Sequence, residues 1–217
     1  MNEATPNLLG ILAVAAGLSL LPFVVVTLTS FVKLAVVLFL IRNAIGIQQT
    51  PPNMVLYGIA VVLSVYIMSP VAAEVYASLR DPALDYESFA GWEQAASTAR
   101  TPIQEHLLRF TSPQEREFFL NATTRIWSLE AHQKAASDDL VILVPAFVVS
   151  ELTRAFEIGF LLYLPFIVID LVVSAILMSL GMIMVSPLVI SVPFKLFLFV
   201  VVDGWSRLIH GLVLSYN

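Results

Sequence analysis

The chain has 217 residues, of which 59% are hydrophobic and only 12% charged, with a formal net charge of -5 and a mean hydropathy of +0.88. An ordinary soluble domain carries about 45–50% and about 25%, so this is a membrane-type composition, and the small, scattered negative charge leaves no basic tract for nucleic acid. The absence of cysteine excludes disulfides, thiolate metal sites and a cysteine nucleophile.

MNEATPN at the N-terminus contains Glu3 and no basic residue, so the n-region of a cleavable leader is missing and the segment reads as retained. Positions 8–41 are almost continuously apolar, interrupted by Pro22 and Lys33. One helix over that run would measure about 50 Å, against about 30 Å for a membrane span. A break near Pro22 is therefore expected, with a short helix before it and a longer one after it to Arg42. NAIGIQQTPPN (43–53) reads as a turn, and a second apolar helix is expected from Met54 to Tyr76 with Pro70 inside it.

Positions 80–139 hold six of the eleven basic and ten of the sixteen acidic residues, so this insert must be solvated. Thr101, Pro102 and Gln104 match a capping box with proline at the first helical position, and Ser112, Pro113 and Glu115 repeat it before EREFFLNATTRIWSLEAHQK. In that second helix Phe119, Ala122, Ile126 and Leu129 are expected to share an apolar face.

From Leu140 the chain is apolar again, divided by Pro145, Pro165, Pro187 and Pro193. Helices are expected near 146–163, 166–184 and 188–214, the last irregular at its start. VVVTL, FVVSEL and FLFVVVD have strand-like composition, but an open sheet edge in lipid leaves backbone groups unsatisfied, which favours helix. The expected fold class is all-α, built of membrane-type helical hairpins. The expected divisions are an apolar N-terminal hairpin (1–79), a polar helical insert (80–139) and an apolar C-terminal region (140–217).

Charges inside apolar segments are the functional clue. Glu151, Arg154 and Glu157 lie three apart in VSELTRAFEIGF, neighbours on one side of a helix. Asp170, Lys195, Asp203 and Arg207 follow, with Lys33 and Glu74 in the first half. A charge at mid-membrane costs on the order of 3 kcal/mol, so these residues need protein or water around them. Lys195 and Asp203 are eight apart, about 12 Å along a helix, and should pair with other elements or, for Asp203, cap the turn at Gly204. Two readings stand level on the residues alone: an ion path in a small transporter or channel, and pairing within an assembly of subunits. The two halves share no internal repeat, and no Gly-rich phosphate loop, GxSxG or HExxH is present. His106, His132 and His210 are scattered and suit surface or packed positions, and a hydrolase built on Ser150 is a remote alternative. No enzymatic activity, metal or cofactor is expected.

PAFVVSELTRAFEIGF (145–160) and PFKLFLFVVVDGW (193–205) resemble the two signature segments of the core export-apparatus protein of type III secretion systems, the SctR/FliP family. GMIMVSPLVISV (181–192), between them, resembles that family's methionine loop. With the two apolar helices, the polar insert and the apolar C-terminal half, the resemblance covers essentially the whole chain. A short chain without a leader resembles the virulence, or injectisome, branch. The resemblance implies a subunit of an export gate in the bacterial inner membrane. Several copies would join two smaller apolar export proteins, and further apparatus and basal-body components, around a pore for unfolded secreted polypeptide. The assembly would lie largely on the periplasmic side. It also implies a pore gasket at Met182, Ile183 and Met184, with Glu151, Arg154, Glu157, Asp170, Lys195 and Asp203 as structural and assembly charges. Similar proteins often carry three consecutive methionines, and Ile183 is stiffer than the methionine it replaces.

Overall fold

The computed structural model describes residues 15, 19, 22–47, 49–81 and 89–217. All regular elements among them are helices: α1 (Pro22–Leu28), α2 (Phe31–Ile45), α3 (Asn53–Leu79), α4 (Phe89–Phe110), α5 (Pro113–Ile126), α6 (Leu129–Lys134), α7 (Leu140–Ser179), α8 (Pro187–Val201) and α9 (Gly204–Leu214). The Val- and Phe-rich stretches that could read as strand are helical. The short helix and leader reading expected before Pro22 fall, apart from positions 15 and 19, outside the described residues.

Helix α2 is the centre of the fold. It is apolar around its circumference, and such a helix must be covered on all sides. It buries Leu34, Val37, Leu38 and Ile41 together with Lys33, and packs against α3, α7 and α8. Gly159 of α7 lets that helix approach α2 closely, since a Cβ there would lie 2.3 Å from Leu40 Cδ1. A second cluster, Leu107 and Phe110 of α4 with Leu143 and Phe147 of α7, ties the insert to the apolar bundle.

Two helices, α3 and α7, are long and apolar enough to cross a membrane. The bent pairs α1–α2 (79°) and α8–α9 (62°) add up to two more spans if each pair is one broken span. Only 17% of the most apolar window of α3, and likewise of α7, is buried inside the subunit. Most of each window is therefore left without full cover by the subunit itself.

The prolines behave differently from expectation. Pro145 and Pro165 lie inside one 40-residue helix, α7, about 60 Å long, where separate helices at 146–163 and 166–184 were expected. Pro193 lies inside α8, so the irregular start expected for 188–214 is a regular turn with Pro187 at its first positions. Pro102 lies inside α4, so the capping box read at Thr101, Pro102 and Gln104 starts no helix; the good helix-forming sequence GWEQAASTAR carries the helix in from upstream. A proline removes one backbone hydrogen bond, whereas ending a helix exposes four N–H or four C=O groups. In an apolar setting the single loss is smaller.

The breaks fall where side chains or local backbone freedom absorb them. The first among the described residues is at Thr29–Ser30; Leu20 and Leu21, beside the break expected near Pro22, lie outside the described residues. There Thr29 Oγ1 accepts from the Phe31 N–H at 3.3 Å and from the Ser64 hydroxyl at 2.8 Å. The expected helix 188–214 is two helices divided at Asp203, whose φ of 58° is left-handed, a conformation aspartate tolerates better than most residues. In the insert, Ser112 and Pro113 start α5 as their spacing predicts. The reciprocal box does not form, because the Ser112 hydroxyl donates to Gln114 and its N–H donates to Ser150 Oγ of α7 at 2.9 Å. The run expected to continue to Lys134 stops at Ile126, and Ser128 caps α6 by accepting from the Ala131 N–H. Ile126 and Leu129 are consequently exposed and leave the face assigned to them, while Thr123 is buried beside the half-buried Phe119 and Ala122.

Candidate functional site

The charges of VSELTRAFEIGF converge on a buried cluster that joins residues far apart in sequence. Glu151 is 0% exposed, and its Oε1 lies 3.5 Å from Nζ of Lys33, which is 1% exposed. The Arg154 guanidinium, 39% exposed, stands 3.6 Å from the same oxygen. The other carboxylate oxygen accepts from the Tyr216 hydroxyl. The Lys33 ammonium lies 3.5 Å from the centre of the Tyr216 ring, and that ring packs edge-on against Phe110 of α4 at 5.0 Å. One carboxylate thus holds α2, α7 and the segment after α9 together, with the insert packed behind the tyrosine. A buried carboxylate is sustained only when paired and hydrogen-bonded, and Glu151 is both. Glu157 is exposed and lines, with Lys33, Arg109 and Arg154, a cavity of about 400 Å³ at the cluster's edge.

A second pair locks the hairpin formed by α7 and α8. Lys195 is 2% exposed, and its Nζ donates to Asp170 Oδ2 at 2.6 Å and to the Ala44 carbonyl at 3.1 Å. The buried Ser191 donates to Asp170 Oδ1 at 2.6 Å. Ala44 belongs to the last turn of α2, where free carbonyls and the helix dipole favour a cation. Lys195 therefore neutralises Asp170 and closes the end of α2 at once.

The methionine loop is the tip of this hairpin. Gly181, at φ 71°, takes the left-handed position that ends α7. Its N–H bonds the Met178 carbonyl at 3.1 Å, and the Met182 N–H bonds the Leu177 carbonyl at 2.9 Å, the paired pattern that glycine makes at helix ends. The chain then turns, with the Ile183 N–H bonding the Gly181 carbonyl at 3.0 Å and the Val185 N–H the Met182 carbonyl at 3.4 Å, until Pro187 starts α8. Met182, Ile183 and Met184 are 44%, 87% and 100% exposed, three apolar side chains that pack little or not at all on their own subunit.

Two predicted charge assignments change in weight. Glu151 meets Arg154 as the i,i+3 spacing suggests, but its buried cationic partner is Lys33, 118 positions away. Glu157 and Asp203 are exposed and join none of the ion pairs among the described residues. Tyr216 and Ser191 carry no local signal in the sequence, and only the packing of α9 and α8 brings them to the carboxylates. In the insert, His106 is packed against Phe110 and Phe147, and its Nε2 is buried without a hydrogen-bond partner. Burial, and then the neighbouring Arg109 and Lys33 charges, hold its pKa down to about 4. At the insert's junction with α7, the Asp139 carboxyl is held below its usual range by the Ala136 N–H, with Arg100 assisting.

Residues 14–212 match the model of the FliP family. The chain is 56% identical over its whole length to a probable translocation protein of Sinorhizobium fredii, covering 98% of that protein. It is 50% identical over 212 residues to the Yop proteins translocation protein R of Yersinia pestis, covering 98% of each chain. It is 44% identical over 219 residues to the virulence protein YscR of Salmonella typhimurium, covering 100% of this chain and 99% of that one. With near-complete coverage at these identities, the chain belongs to the FliP family of type III secretion proteins, in its virulence branch.

Proposed function

We propose that this chain is a subunit of the export gate through which unfolded proteins enter a type III secretion system, and that the loop from Gly181 to Ser186 closes the pore. The observation that carries the reading is the hairpin tip. Met182, Ile183 and Met184 project from a turn with little packing of their own, while Asp170 and Lys195 hold the two helices below them. Several copies, joined by two smaller apolar export proteins, would bring such tips to one constriction. Unbranched thioethers adapt their shape, so they can seal against one another or around a passing chain. Opening would be passive, with energy supplied by other components.

The unsatisfied apolar area supports assembly. Most of the apolar window of α3, and likewise of α7, is not buried within the subunit, and in a packed complex on the periplasmic side of the inner membrane it would meet protein. The 1–79 and 140–217 regions would form the channel wall, with the 80–139 insert on the periplasmic side. Glu157, exposed within α7, and Asp203, exposed at the break between α8 and α9, would find their partners on other subunits. The two paired clusters argue against the small-transporter reading, because Lys33, Glu151, Asp170 and Lys195 are each engaged inside the subunit.

The test is Met182→Ala with Met184→Ala in cells that produce the whole apparatus. Complex recovery should match the parent while ion conductance across the membrane rises. Unchanged conductance in a correctly assembled complex refutes the gasket. A purified monomer or dimer that moves a small solute refutes the gate.

A further inference from the structure

The outward side of α7 carries an apolar ridge. Phe156, Phe160 and Leu164 stand one turn apart and are exposed, with Leu161 beside them. A row at this spacing is the ridge that one helix offers to a groove on another element. Glu157 adjoins the row, is exposed, and joins none of the ion pairs among the described residues. Across the same helix, an apolar cavity of about 500 Å³ lies in the elbow between α8 and α9. The elbow exists because Asp203 takes its left-handed backbone and α9 departs from α8 at 62°. The buried Phe166, Phe199, Leu208 and Leu212 form the floor of this cavity, and the exposed Pro165, Val202 and Gly211 stand at its mouth. The single charged group on its wall is Arg207, exposed and paired with no carboxylate among the described residues.

We infer that the α7 ridge of one copy docks in the α8–α9 elbow of the next, with Phe156 and Phe160 entering the cavity and Glu157 paired to Arg207 of that next copy. The inference rests on the reading of this chain as one of several copies in an export gate, and names the surfaces that join them. An apolar cavity of about 150 Å³ already takes up benzene, so this one has room for more than one phenyl ring. The acid beside the ridge and the base beside the groove each lack a partner inside the subunit, and docking supplies both in a bidentate geometry suited to arginine and carboxylate. At 3.6 residues per turn, the ridge lies roughly 170° around α7 from Ile158, Leu162, Pro165 and Phe166, the residues α7 gives to the cavity. The two surfaces differ by only about 4 Å in height along α7. Unlike patches on opposite sides of one helix cannot satisfy each other in a two-fold dimer. They join copies head to tail, side by side, in a ring or a shallow helix, which is the form a channel wall requires.

The chain has no cysteine, so introduced thiols are its only ones. Glu157→Cys with Arg207→Cys in one chain is produced with the whole apparatus, purified as the complex in mild detergent, and treated with a short bismaleimide. Denaturing gels should show bands of two, three and more linked copies, while either cysteine alone gives none. Charge reversal is the second arm. Glu157→Arg or Arg207→Glu alone places like charges together and should lower the recovered complex by about tenfold or more, and the two reversals in one chain should restore it. The third arm fills the groove. Gly211 lines the cavity, and a Cβ built on it meets nothing within 4 Å, so Gly211→Leu should leave the unfolding temperature of the purified subunit unchanged and lower complex recovery by a similar factor. An intact complex of several copies in which the double-cysteine chain forms no links between copies overturns this inference and leaves the gate standing. Dimers from a single-cysteine chain overturn it too, because the contact would then be two-fold. A Gly211→Leu complex that keeps its copies but loses a smaller apolar protein gives the groove to that protein instead. A parent chain that forms no complex of several copies overturns the inference and the gate together.

Discussion

Lys33→Met keeps the length and much of the volume of the side chain and removes only the ammonium opposite Glu151. Lys33 and Glu151 are 1% and 0% exposed and 3.5 Å apart, so the carboxylate cannot turn to water when its partner disappears. Breaking one member of a buried pair costs about 3–5 kcal/mol, much of it from the charge left behind. Arg154 stands 3.6 Å from the same oxygen but is 39% exposed. A solvent-screened pair contributes about 0–1 kcal/mol, and Arg154→Ala should therefore be several-fold milder than Lys33→Met. Glu151→Gln added to Lys33→Met removes the stranded charge and should restore about 2 kcal/mol, a coupling within the usual range for contacting residues. The assay is thermal unfolding of the purified protein in mild detergent, with complex yield from membranes as a second readout. Arg154→Ala as damaging as Lys33→Met, or a double variant no better than the sum of its singles, refutes Lys33 as the partner that sustains Glu151.

His106 should make the insert sensitive to acid. Its folded pKa of about 4 lies below the ordinary value near 6.5, so the unfolded state takes up the proton first; stability is full above about pH 6.5 and falls as the pH drops toward 4, by at most about 3 kcal/mol. His106→Gln should flatten the unfolding temperature over that window, and an unchanged slope means the effect belongs to other groups. Gly159→Ala should separate α2 from α7, because the added methyl would lie 2.3 Å from Leu40 Cδ1. A loss of about 1–3 kcal/mol is expected for such overpacking, it should be partly recovered by Leu40→Ala in the same chain, and a wild-type melting curve for the single variant would show that Leu40 simply turns aside.

The extent of the apolar segments, the solvated insert between them, helix as their form, and the loop that follows Gly181 are all properties of the sequence by itself. Each rests on composition or on residues within one turn of each other: hydropathy over a window, proline after serine at α5, glycine before a stretch that no longer packs. The resemblance of 145–160, 181–192 and 193–205 is also linear, which is why the family could be read directly from the chain. The breaks were not. Pro102, Pro145, Pro165 and Pro193 each look like a boundary, yet each sits within a helix, while the chain bends at Thr29–Ser30 and at Asp203. The loss of one hydrogen bond at a proline is local and legible, but the cost of exposing a whole helix end depends on what surrounds it. The partners of the buried charges were equally hidden. A spacing of three joins Glu151 to Arg154, but Lys33 reaches Glu151 across 118 positions, and Tyr216 reaches it across 65. Those contacts exist because α2 is enclosed by α7 and the chain returns past α9 to the same point, and the desolvation that makes Lys33 the stronger partner is a property of that enclosure.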